Sequence, residues 1–139
     1  MANKKLRSLG LIQRIKKHDL ESEAAKLGVL RHEISQLEAE KTRLLDSLQR
    51  DARMQSIELA QYVGQFIRSI RAQVKIIDQQ LIGLRQKEEA QEDMVVDRFG
   101  DVKTYDVVID AEKERRHAAQ ESLEARERDD LTVMRWKHP

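Results

Sequence analysis

With 139 residues, 37% of them charged, 4% aromatic and 40% hydrophobic, the chain is too polar to close a conventional three-dimensional core, so an elongated helical protein is expected. A formal net charge of +1 gives no overall attraction to nucleic acid or to an anionic membrane, and any electrostatic role is therefore local. The lack of cysteine fits a reducing compartment, and no run of about 20 apolar residues supplies a membrane span or a signal-peptide core.

Residues 1–17 hold Lys4, Lys5, Arg7, Arg14, Lys16 and Lys17 and no acidic residue. Leu6, Leu9, Ile12 and Ile15 recur within this basic arm at helical spacing, which predicts an amphipathic helix. Gly10 is its weak point, at a cost of about 1 kcal/mol relative to Ala. The apolar residues read as a continuation of the seam that follows. A membrane-surface helix would show the same pattern, but no aromatic residue anchors this one.

From Leu20 the heptads are clear: Leu20, Leu27, Ile34, Lys41 and Leu48 share one position, and Glu23, Leu30, Leu37, Leu44 and Asp51 the other. Glu23, Lys41 and Asp51 interrupt the stripe. A polar seam residue costs stability and fixes register, although Lys41 has a stem long enough to carry its ammonium out to solvent. Between Leu48 and Val63 the phase of the repeat is lost. No Pro or Gly marks the place, and a short helical corner over about 49–60 is expected.

The second seam is the most regular: Val63, Ile67, Ile70, Val74, Ile77, Leu81 and Leu84 alternate steps of four and three. A stripe this narrow suits one facing helix. The expected fold is therefore all-α, a long antiparallel two-helix coiled-coil hairpin with a charged C-terminal overhang. It would form a single domain with a first arm over about 4–50, a second over about 60–130 and a frayed tail at 131–139. One continuous helix that dimerises between chains, as in a generic coiled-coil adaptor, is the alternative.

Past Leu84, Val95, Phe99, Val102, Tyr105 and Ile109 keep a looser stripe, and Lys113 to Asp130 is densely charged. Opposite charges there recur at i, i+4, as in Glu112 with Arg116 and Glu124 with Arg128, which supports a solvated helix. A corner near residue 53 would set Lys4 opposite residue 102 and leave everything beyond about Asp110 overhanging. Leu131, Val133, Met134 and Trp136 form an apolar group on that overhang, read as a frayed end or as a docking element.

Catalytic and cofactor chemistry finds no foothold. His18, His32, His117 and His138 are far apart, and none has a second His at i, i+4. The string Gly100-Asp101-Val102-Lys103-Thr104 ends like a phosphate loop but has Val102 where that loop needs Gly. Asp129 and Asp130 stand on a charged helix without a pocket to shift them. The basic arm also lacks the aromatic residues that stack on bases. The expectation is a protein without catalysis, metal, cofactor or nucleic acid.

The run Tyr62-Val63-Gly64-Gln65-Phe66-Ile67, continuing to Gln79-Gln80-Leu81 and followed by the charged helix from Asp110 to Arg128, resembles the flagellar FliJ family and its injectisome relatives. The resemblance spans essentially the whole chain. It implies an antiparallel coiled coil similar to the central stalk of rotary ATPases, and 139 residues leave no room for the globular domain such a stalk carries in an ATP synthase. Implied partners are the hexameric export ATPase, the cytoplasmic domain of the export gate's membrane subunit, and export chaperones. The implied role is type III protein export in flagellum biogenesis, motility and chemotaxis. The protein would be a cytoplasmic monomer, peripheral to the inner membrane through its partners. Matching along the family's motif carries gate binding onto Phe66, Ile70, Gln73 and Ile77, of which Ile70 and Ile77 also stand in the seam. Ring contact falls to the basic arm and the charged helix: Lys5, Arg7, Arg14, Lys17, Arg115 and Arg116. A hairpin arm of roughly 50 residues would reach about 75 Å, enough for such a stalk.

Overall fold

The computed structural model describes residues 2–51 and 60–137. It contains two helices, α1 over Ala2–Asp51 and α2 over Ala60–Lys137. They pack against each other as an all-α helical hairpin. Ala, Leu, Glu, Gln, Lys and Arg dominate both, and the only proline is Pro139, so nothing interrupts the backbone hydrogen-bond ladder. Among the described residues none has a positive φ, and the glycines sit within the helices at ordinary helical geometry. The predicted corner over about 49–60 falls, for 52–59, outside the described residues. Residues 131–137 continue α2, all exposed.

The chain divides into two compact units. Unit 2, Glu21–Asp97, buries Leu27 and Ile34 of α1 against Ile70, Ile77 and Leu81 of α2. Leu37, Leu44 and Leu84 close over the cluster of Ile34, Ile77 and Leu81. These are the seam residues of both heptad stretches, in the predicted phase. The two polar interruptions fare differently. Lys41 carries its ammonium out to Asp78, 2.6 Å away on the rim. Glu23 stays in the seam and accepts from the Gln91 amide on both its backbone carbonyl, at 2.9 Å, and its Oε2, at 2.5 Å.

Unit 1 pairs Met1–Leu20 with Arg98–Pro139 and buries Val102, Ile109 and Glu112. Its register differs from the one expected. Lys5 reaches Glu112, the Gln13 amide donates to Asp106 and Lys16 approaches Asp101. Opposite partners thus average to about residue 59 instead of 53. The segment from Asp110 to Arg116 therefore lies within the paired region, and only 117–137 extends past it, with every residue exposed.

Two apolar residues assigned to the stripe lie off it. Ile15 is 52% exposed, and Phe99 is 51% exposed with the Lys103 ammonium 5.4 Å from its ring centre. The alternation of four and three runs through unit 1 without a break and places Gln13 and Lys16 in the seam of α1 and Arg98, Glu112 and Arg116 in that of α2, all at least half-buried. Geometry follows the period, and an apolar side chain one step off the period faces water.

Candidate functional site

No group of three metal-ligating side chains occurs among the described residues, and none of their helices is long and apolar enough to cross a membrane. The surfaces carry the candidate chemistry, and each unit presents one.

In unit 1 the centre is Glu112, whose side chain is only 7% exposed. Arg115 grips it from one turn on, with Nε and one terminal nitrogen donating at 3.2 and 2.8 Å. Lys5 of α1 stands 3.4 Å away and the Arg116 Nε 3.7 Å. The Arg115 hydrogen bonds, opposed by burial and helped by the charges of Arg115 and Lys5, bring the Glu112 carboxyl down to about 2, and the same contact raises Arg115. A buried carboxylate held by three cations pins α1 to α2 where apolar contacts are few.

Three of the six residues assigned to ring contact, Lys5, Arg115 and Arg116, thus converge on one internal carboxylate. The other three, Arg7, Arg14 and Lys17, are exposed and have no ion-pair partner among the described residues. Arg7 and Arg14 flank an open depression of about 700 Å³ that Leu6, Gly10 and Leu11 also line. The floor lies at Gly10, where an added Cβ would meet nothing within 4 Å.

In unit 2 the four residues assigned to gate contact separate by exposure. Ile70 and Ile77 are both 5% exposed and belong to the core. Phe66 is half-buried, and Gln73 is exposed with its amide donating to the Ser69 hydroxyl at 3.3 Å. Beside them stand Tyr62, 71% exposed, and Ile76, 55% exposed, which the sequence reading passed over. The signal for both was available: each lies one residue before a seam position, on the row that runs through Phe66 and Gln73. The sequence paired Glu112 with Arg116, as the structure does, but did not place it in the seam. Extending the strict repeat from Leu84 reaches it directly, but an apolar criterion skips it.

Two long helices with a narrow seam and charged outer faces define a coiled-coil protein whose chemistry is surface contact. The family model described as Flagellar FliJ protein matches residues 4–139, and the chain belongs to that family. It is accordingly a component of the flagellar, type III class of protein export apparatus, and its family is a non-catalytic one. No individual curated protein and no solved structure gives a significant match.

Proposed function

We propose that the chain is the coiled-coil stalk of the export apparatus, a single-domain monomeric hairpin that sits in the export ATPase hexamer and couples it to the cytoplasmic domain of the export gate. It also handles export chaperones, and it works in the cytoplasm, peripheral to the inner membrane. The observation that carries ring contact is the exposed cationic row of α1: Arg7, Arg14 and Lys17 lack internal partners, whereas Lys5 is engaged by Glu112. Exposed charges without internal partners are suited to steering and to exchangeable contacts, as a seat inside a ring requires.

The test is binding of the full chain to the purified export ATPase. Changing Arg7, Arg14 and Lys17 together to Glu lowers the affinity at least tenfold and leaves helicity unchanged, while Lys113→Glu has little effect. Intact ring binding in the triple variant would overturn the assignment. Gate contact is proposed for the exposed part of the α2 row, Phe66 and Gln73 with Tyr62 and Ile76. Ile70 and Ile77 support it from beneath. Phe66→Ala is expected to weaken gate binding with little loss of helicity; a melted hairpin would mark Phe66 as core.

A further inference from the structure

The two flanks of the seam in unit 2 differ in kind. On the side one residue after the seam, ions zip the helices together: Arg85 to Glu38 at 2.7 Å, Lys41 to Asp78 at 2.6 Å, and Arg31 to Glu88 and Glu92 at 3.8 and 3.9 Å. The α2 row one residue before the seam reads Tyr62, Phe66, Ser69, Gln73, Ile76, Gln80, Gly83. It holds no charge in seven positions, where a chain that is 37% charged would place two or three. No cross-helix ion pair closes this side among the described residues.

What lies there is a groove of about 490 Å³ between the helices, lined by Glu33, Gln36, Leu37 and Glu40 of α1 and by Gln80, Leu84 and Lys87 of α2, the last being the next member of the row after Gly83. Leu37 and Leu84 are seam residues whose edges open into it. Gly83, between Gln80 and Leu84 in sequence, leaves space: an added Cβ would meet nothing within 4 Å. Two helices with an ion-zipped flank, an uncharged flank and seam residues open on the uncharged side have the form of a three-helix coil that lacks one strand.

Charge identifies the missing strand. Glu33 and Glu40 stand seven residues apart on the α1 rim, and neither has an ion-pair partner among the described residues. The α2 rim offers Gln80 and Lys87. We propose that this groove docks a single helix from a partner protein, with apolar residues at heptad spacing, Lys or Arg seven residues apart toward Glu33 and Glu40, and uncharged or acidic side chains toward Gln80 and Lys87. An acidic helix is repelled at the α1 rim, and a second copy of this chain is the other candidate occupant. The groove's lining shares no residue with the proposed ring contact or with Tyr62, Phe66, Gln73 and Ile76, which stand on the same α2 row nearer its start, so variants in the lining test the groove apart from the gate.

The test titrates the full chain into two labelled, stapled synthetic helices, read by fluorescence anisotropy. Both carry Leu at the heptad positions and Gln on one flank; the other flank is Lys in one and Glu in the second. The Lys helix binds at least tenfold more tightly than the Glu helix, and changing Glu33 and Glu40 together to Lys reverses the order. Gln80→Trp, at an exposed residue of the groove's own lining, preserves the fold, as circular dichroism checks, yet it crowds the groove and weakens the Lys helix at least tenfold. Equal binding of the two helices, binding of neither, or no effect of Gln80→Trp overturns the proposal. So does a mass that doubles with concentration and returns to that of a monomer in Gln80→Trp, which would assign the groove to self-association.

Discussion

Unit 2 and unit 1 use the same two helices and hold them together by different means. In unit 2 the seam is mostly apolar, with Leu27, Ile34, Ile70, Ile77 and Leu81 buried, and its polar members Glu23 and Lys41 are answered by Gln91 and Asp78. In unit 1 the seam admits Gln13, Lys16, Arg98, Glu112 and Arg116, and a buried carboxylate takes the place that a leucine fills elsewhere. The apolar residues of that seam have no group to titrate. The charged seam depends on pH through Glu112, and it loosens more readily because its partners can be satisfied by water. The region proposed to enter and leave a ring is the one built from exchangeable contacts.

The difference can be broken most severely in unit 2. Leu81→Ala or Ile77→Ala removes a side chain 4–5% exposed from the central cluster and is expected to cost about 2–4 kcal/mol in urea unfolding. A cost near zero would mean that the seam is not what holds the hairpin.

A smaller and local effect is expected at Glu112. Glu112→Gln leaves Lys5, Arg115 and Arg116 without their anion, and amide exchange quickens over 5–16 and 102–116 but not over 27–44. The pH dependence has a definite sign. The carboxyl titrates at about 2 in the folded chain against an ordinary value of 4.5, so its contribution is complete above pH 4.5 and is lost as pH falls toward 2. Amide exchange in unit 1 is expected to quicken through that window, and the Glu112→Gln variant to lack this component. The smallest effect belongs to the rim of unit 2. Arg85→Ala breaks a pair whose side chains are both more than half exposed and is expected to cost about 0.2–1 kcal/mol.

Sequence periodicity made the seam of unit 2 legible because there hydrophobicity and period agree, from Leu27 and Ile34 to Ile77 and Leu81. The snorkelling of Lys41 followed from its length. Unit 1 was harder to read for a physical reason. When polar residues occupy the seam, apolar side chains cease to mark it, and Ile15 and Phe99 then attract attention that belongs to Lys16 and Arg98. The register of unit 1 depends on how many residues separate the helices, and without a Gly or Pro that number could not be counted from the sequence. Of the ring and gate residues, the sequence supplied identity and spacing. Exposure had to come from the structure, which places Ile70 and Ile77 inside and Ile76 outside.

The most direct measurement is residue-resolved hydrogen exchange of the full chain at neutral pH. Protection is expected to be strongest over 27–44 and 70–84 and weaker over 5–16 and 102–116. Equal protection in the two units would contradict the division between an apolar seam and a charged one.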